Sequence, residues 1–353
     1  MADLDPSIRT LLAFVAAALP SFVLCRVVIA LGFKDAPTEA RKTQKAPVPT
    51  AGGLAIAVAS LGAAAAIARL VGWAQLVDTH LLVVAVGALA ALAVGFADDT
   101  TTVSARVKLA LMLAIALGVT ISGVRVDTLN PWPDVALALP MAIGVAGSVL
   151  WLIVVVNAVN FMDGSNGLSM GMAAIAAAGL AVCAGAAGLW SIALLAATLA
   201  GALAGFLVWN VGGKLFAGDT GALFVGMALG GLGLELVRSK PDLLFVPPLL
   251  LLPFLSDVLL TLAWRARHGK KLWVAHRDHA YQIAMKAGLK HWQVAAIHAV
   301  WAFNAAGFAL MGTVSDARGP LLAFLLLLGV STWLHLRVRR VGVKAGLVGA
   351  DIP

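Results

Sequence analysis

Leu81-Leu-Val-Val-Ala-Val-Gly-Ala-Leu-Ala-Ala-Leu-Ala-Val-Gly-Phe-Ala-Asp98-Asp99 sets an unbroken apolar run, residues 81–97, directly against two adjacent carboxylates. Wound as an α-helix, such a run is close to the length that crosses the hydrocarbon core of a bilayer. A carboxylate carried into a membrane helix costs about 2.5–3.5 kcal/mol on insertion scales, so acids at the edge of a span are solvated, paired or at work. The stretch is an apolar rod that delivers charge to one edge, and the pattern recurs in both directions along the chain.

Apolar runs of span length fall at 9–31, 52–71, 81–97, 105–122, 135–156, 168–187, 189–208, 221–237, 242–264, 292–313 and 317–337. They predict an all-α polytopic membrane protein, a bundle of about eleven transmembrane helices (10–11), built as one domain over 1–353. Composition agrees: 61% of residues are hydrophobic and 12% charged, with mean hydropathy +0.97, against about 25% charged in soluble domains. Glycine and alanine dominate the spans, as in Gly201-Ala-Leu-Ala-Gly205, where small residues let helix backbones approach closely. Met1–Thr10 is acidic where a secretory signal is basic, so the first span is expected to stay uncleaved. Cys25 and Cys183 both lie in apolar runs and form neither a disulfide framework nor a metal knuckle.

Net charge is +8, which could suggest nucleic acid, but the basic residues are scattered between apolar runs and form no continuous stripe. They read as topology signals. Eighteen of the 25 Lys and Arg residues lie in the loops after odd-numbered spans and in the tail. The positive-inside rule then makes those loops cytoplasmic, the N-terminus outside and the C-terminus inside.

The segments rich in polar residues occupy the same loops, about 32–51, 98–104, 157–167, 209–220 and 265–291. Lys45-Ala-Pro-Val-Pro-Thr-Ala-Gly-Gly53 is stiffened by proline and ends in a glycine pair that permits close approach; alone it would read as a turn. Asp98-Asp99 suits a divalent cation, or one base beside a cation-bound phosphate. Asn157-Ala-Val-Asn160-Phe-Met-Asp163-Gly-Ser-Asn166 repeats amide or acid groups every three residues, so they can share one side of a helix end and bond a base, a sugar or a phosphate. Capping explains one or two such groups, not four. Asn210-Val-Gly-Gly-Lys214-Leu-Phe-Ala-Gly218-Asp219-Thr-Gly221 brings a lysine and a carboxylate to the start of a span, where the helix dipole favours anions. His276-Arg277-Asp278-His279-Ala-Tyr281-Gln282 could hold a metal between its histidines or an anion on Arg277, while an isolated basic loop would only meet lipid headgroups. Asp257 lies inside the ninth span, paired with a basic group or facing the site.

Together these five ordered segments resemble the polyprenyl-phosphate N-acetylhexosamine-1-phosphate transferase family, the bacterial MraY and WecA group. The matching features are the Pro-x-x-Gly-Gly loop, Asp98-Asp99, Asn-x-x-Asn-x-x-Asp-Gly ending at Gly164, Gly218-Asp-Thr-Gly221 and His276-Arg-x-His-x-Tyr-Gln282. The last is more similar to the WbpL-type branch, which starts O-antigen or related glycans. Thr102 stands where the MraY pattern has lysine, Asn166 where the family has a second aspartate, and Ala222 where serine is common. The 210–219 segment is one residue shorter than the family pattern.

The resemblance implies attack by undecaprenyl phosphate on the β-phosphorus of a UDP-N-acetylhexosamine, with Mg2+, or Mn2+ in its place, and basic side chains neutralising two anions. It implies Asp219 as metal ligand, Asp98 as base with Asp99 in support, and Asn160 with Asp163 holding nucleotide and diphosphate. Lys45, Lys108, His276, Arg277 and His279 would clamp phosphates or sugar; Asn157, Asn166 and Lys214 are further binding candidates. A covalent phospho-sugar intermediate on a carboxylate is the alternative to direct displacement. The implied setting is the bacterial inner membrane with the site facing the cytoplasm, and the bundle is compatible with a homodimer. An ion- or proton-coupled transporter is the competing class, but it would concentrate polar groups near the midplane.

Overall fold

The computed structural model describes residues 4–32, 34–35, 48–72, 78–101, 103–132, 134–271, 276–315 and 319–348. Among them are thirteen α-helices: α1 Pro6–Leu31, α2 Gly52–Val71, α3 Thr79–Thr100, α4 Ala105–Ile121, α5 Met141–Phe161, α6 Ser169–Ala186, α7 Trp190–Asn210, α8 Gly218–Ser239, α9 Val246–Leu250, α10 Leu252–Arg267, α11 Ala280–Lys286, α12 His291–Val314 and α13 Gly319–Lys344. Nine of these described helices are long and apolar enough to cross a membrane, or up to ten if the bent pair described below is one span. This is the expected all-α polytopic membrane architecture.

Polar side chains start several rods. Asp5 accepts from the Ser7 amide at 2.8 Å, Asp78 from Leu81 at 2.8 Å and Ser104 from Val107 at 3.4 Å. These bonds satisfy donors that a helix start leaves unpaired. α8 is the axis of the bundle: Thr220 through Val237 are all buried, enclosed by α2, α3, α5, α6 and α7. α1 runs parallel to α7, seated on Gly201 and Gly205, where any added Cβ would drive into the backbone of Phe14 or Ala18. The Ser21 hydroxyl fastens the pair by donating to the Ala202 carbonyl at 2.6 Å. The outward faces of α1 and α13 carry exposed Leu19, Val23, Leu325 and Leu326, as lipid requires.

Several expected boundaries are corrected. The span expected at 135–156 does not start there: β3 Thr128–Trp132 and β4 Val135–Ala138 form an antiparallel hairpin. Asp134 at φ 64° turns the chain between them, and the helix begins only after Pro140. That helix runs to Phe161, so Asn157 and Asn160 are helical rather than part of a loop over 157–167. Likewise Asp98 and Asp99 belong to the last turn of α3, and Asp219 to the first turn of α8. The single span expected over 242–264 is broken: Pro241–Leu250 and Leu252–Arg267 meet at 72°, in a stretch holding Pro241, Pro247, Pro248 and Pro253. The fourth expected span is met by the 17-residue α4. Within the segment expected as a loop over 32–51, Lys34–Asp35 (β1) pairs antiparallel with Val48–Pro49 (β2).

The N-terminus of α1 lies at the end of the bundle opposite the polar segments. The last described residues lie beside those segments, where the Lys286 ammonium donates to the Leu347 carbonyl at 3.0 Å. Gly205→Leu should force α1 off α7 and destabilise the bundle by roughly 1–3 kcal/mol or more. A thermal melt in detergent checks this, with a lowered midpoint expected and an unchanged one excluding the close packing.

Candidate active site

Consecutive residues on a helix point about 100° apart, and at the end of α3 that separates two jobs. Asp99 turns inward to the start of α8. Its carboxylate accepts the Asp219 amide at 3.0 Å, the Thr220 amide at 2.9 Å and the Thr220 hydroxyl at 2.6 Å. Asp98 turns to the open side, where it accepts the Val103 amide at 3.1 Å and the Lys108 ammonium at 2.6 Å.

Lys108, in the first turn of α4, reaches a second carboxylate as well: its Nζ lies 2.5 Å from Asp219 Oδ2. The other Asp219 oxygen accepts from Asn160 Nδ2 at 2.9 Å. Four helices, α3, α4, α5 and α8, thus contribute one side chain each to a compact charged cluster. It is not sealed: the side chains of Asp98, Lys108 and Asp219 retain 16, 18 and 27% of their surface.

The remaining segments build the walls. The first lies along the fourth: the Phe216 amide donates to the Pro49 carbonyl at 2.8 Å, Gly52 to Phe216 at 3.0 Å and Gly53 to Ala217 at 3.0 Å. This places Gly53 against Gly221 with no room for a side chain on either. The third and fourth are tied through buried Asn210, whose Oδ1 accepts from the Gly167 amide at 2.8 Å while Nδ2 donates to the Leu215 carbonyl at 2.9 Å. The fifth packs beneath the third, with Tyr281 Oη donating to the Phe161 carbonyl at 3.1 Å directly under Gly164. His276 and His279 stack with ring centroids 5.0 Å apart.

Not every expected residue joins the cluster. Lys45 lies outside the described residues. Asn157 donates back to the Ile153 carbonyl of its own helix at 2.7 Å. The Lys214 ammonium sits over the Trp209 ring, 5.9 Å from its centroid, and Asn166 lies against Gly213. Arg277 is half-buried on the fifth segment, its carbonyl accepting from Lys286 at 2.9 Å. Sequence reasoning gave no structural role to Asp278, which forms a buried ion pair with Arg265 at 2.5 Å. It also left Asp257 open. That carboxylate accepts the Ala280 amide at 2.9 Å and the Tyr281 amide at 3.1 Å, and lies 3.4 Å from His279 Nδ1. An acid within an apolar span was the available signal; its partner, 22 residues on, was not readable.

A hard dication suits this donor set. Asp98 and Asp219 already share one cationic group, and among the described residues the Asp163 carboxylate meets no hydrogen-bond donor. Mg2+ commonly binds through one or two carboxylates plus substrate phosphates rather than an all-protein cage, and that is what these residues offer. Removal from water pushes the Asp163 carboxyl up to about 7, and the negative charges of Asp219 and Asp99 act in the same direction.

Residues 81–237, which carry Asp98, Lys108, Asn160, Asp163 and Asp219, match the family model Glycosyl transferase family 4. A phospho-N-acetylmuramoyl-pentapeptide-transferase of Corynebacterium diphtheriae is 30% identical over 310 residues, covering 73% of this chain and 84% of the relative. A decaprenyl-phosphate N-acetylglucosaminephosphotransferase of Mycobacterium tuberculosis is 27% identical over 339 residues, covering 87% and 83%. A Bacillus subtilis protein described as a "probable undecaprenyl-phosphate N-acetylglucosaminyl 1-phosphate transferase" is 28% identical over 293 residues, covering 80% and 79%. The family that these matches define is one of membrane glycosyl-1-phosphate transferases, a class of phosphotransferase. The chain belongs to the polyprenyl-phosphate hexosamine-1-phosphate transferase family.

The raised Asp163 carboxyl has a sign that can be measured. The folded state holds its proton more tightly than the unfolded chain, so the stability it contributes is complete below about pH 4 and is lost as pH rises through about 7. In EDTA, the melting midpoint of the wild type should fall relative to Asp163→Asn between pH 5 and pH 8; parallel curves would exclude the shift.

Proposed function

We propose that this chain transfers an N-acetylhexosamine 1-phosphate, or a modified derivative, from a UDP-sugar to undecaprenyl phosphate, releasing UMP and leaving undecaprenyl diphosphate sugar. The observation that carries the reading is the Lys108 ammonium held between Asp98 at 2.6 Å and Asp219 at 2.5 Å, with Asn160 on the other oxygen of Asp219. The relatives named above support the same chemistry.

In this reading an oxygen of the lipid phosphate bonds to the β-phosphorus. The bond from that phosphorus to the bridging oxygen breaks, and UMP leaves with the electron pair. Two anions must meet, so their charge has to be neutralised before they approach. Lys108 does part of this. Asp98, turned to the open side of the cluster, takes the proton from a protonated lipid phosphate and keeps the attacking oxygen charged. Asn160 holds the Asp219 carboxylate in place, and His276, Arg277 and His279 of the fifth segment are assigned to the sugar and its phosphates. Mg2+, or Mn2+, bound through Asp219 with Asp163 at hand, would supply charge neutralisation of the diphosphate.

The excess of Lys and Arg in the loops at the site end supports a site that faces the cytoplasm, and the bacterial relatives support an inner-membrane setting. The product would be the first lipid-linked intermediate of an envelope polysaccharide of the O-antigen type. Transport is less well supported, because Asp98, Asn160 and Asp219 occupy terminal helical turns at one end, not the middle of the bundle.

Asp98→Asn and Asp219→Asn should each lower UMP release by about a hundredfold or more, with the folded peak in detergent retained. Wild-type turnover in either variant would remove that residue from the mechanism. EDTA should abolish turnover and added Mg2+ restore it; activity indifferent to both would overturn the metal assignment. A panel of UDP-sugars, beginning with UDP-N-acetylglucosamine, identifies the donor.

A further inference from the structure

Arg339 lies on α13, the last helix, outside the five polar segments and outside the carboxylate cluster, yet it is only 3% exposed. A guanidinium buried in an apolar bundle is costly unless its surroundings compensate it. Here compensation is partial. Nη2 donates to Thr261 Oγ1 at 2.9 Å and approaches His335 Nε2 at 3.2 Å. The guanidinium stacks over Trp264, 4.6 Å from the ring centroid. Nε and Nη1 have no hydrogen-bond partner among the described residues.

The bond from Arg339 to another helix goes to Thr261. The hydroxyl accepts from Arg339, so its own proton is directed the other way, to Asp257 Oδ1 at 3.2 Å. Asp257 in turn holds the amides of Ala280 and Tyr281 and lies against His279. Tyr281 reaches the Phe161 carbonyl beneath Gly164. The series runs from α13 through α10 and α11 to the end of α5, which carries Asn160; its donors converge on the Asp257 carboxylate, Thr261 from one side and the Ala280 and Tyr281 amides from the other. A second, separate contact joins the same elements. Lys286, on α11, donates to both the Arg277 carbonyl at 2.9 Å and the Leu347 carbonyl at 3.0 Å, and Gly342 leaves just enough room for Ile283.

We propose that Arg339 is a positioning residue that sets the place of the His276–Gln282 segment over the nucleotide-sugar side of the site, acting through Thr261 and Asp257. The C-terminal helix is therefore a working part of donor recognition rather than only a lipid-facing strut. This rests on the reading of the site as a sugar-phosphate transferase. It predicts an effect on the donor and not on the lipid acceptor, because the segment Arg339 controls carries His276, Arg277 and His279, whereas Asp98 and Lys108 are held independently by α3 and α4.

The test uses the full chain in detergent, with UDP-N-acetylglucosamine as the donor probe and undecaprenyl phosphate as acceptor. Arg339→Ala should raise KM for the donor at least tenfold while kcat and KM for the lipid stay within threefold of wild type. Thr261→Val, nearly the same shape without the hydroxyl, should do the same, and Thr261→Ser should restore wild-type values. The double variant should be no worse than either single one, since both interrupt one series of bonds. A drop in kcat with donor KM intact, or fully additive effects, would overturn the proposal. Hydrogen exchange provides a readout free of turnover: amides 279–283 should exchange faster in both variants, with those of α8 unchanged. If the wild type turns over no UDP-sugar, the transferase reading fails by itself and the exchange decides the positioning claim, unchanged protection at 279–283 overturning it.

Discussion

The start of a helix carries several amide hydrogens that its own backbone does not satisfy, and α8 begins at the site end of the bundle, packed against the end of α3. Asp99 satisfies two of these, accepting both the Asp219 and Thr220 amides and the Thr220 hydroxyl. Much of the site geometry follows. Once the end of α3 is bound to the start of α8, Asp98 is turned to the opposite side of its helix and Asp219 is placed in reach of Lys108 and Asn160. The adjacent acids are thus not duplicates. One satisfies a helix terminus, and the other is left available to chemistry.

Small residues make this arrangement possible. Charged groups brought to one end of a bundle repel or waste each other unless the helices bearing them come close, and Gly53 against Gly221 shows how close that is. Elsewhere Gly201 and Gly205 let α1 lie on α7 backbone to backbone. Association of this kind depends on packing rather than on exclusion from water, because lipid tails are as apolar as the side chains they would replace.

The sequence was most legible where one physical rule acts alone. Apolar run length located the helices, and the clustering of acids and amides located the end of the bundle where they meet. It was less legible where two rules compete. Val135–Ala138 is as apolar as a span, but Asp134 turns it into a hairpin strand. The stretch around Pro247 and Pro253 is apolar enough to cross, but it bends by 72°. Asn157, spaced correctly with Asn160, spends its amide on its own helix. Least legible were the long-range pairs, Arg265 with Asp278 and Asp257 with the start of α11, because nothing in an isolated sequence says which buried charge meets which.

Asn210 closes a ring whose two ends meet at the site: from Gly167 the chain leaves through α6, turns at Gly188, returns through α7, and rejoins its starting point through one side-chain amide. Along its length that hairpin is gripped by α1, α2, α8 and α12, with α1 seated on Gly201 and Gly205. A change at the far tip of the hairpin is therefore shared among several neighbouring helices, while the Asn210 clasp ties its two ends together beside the site.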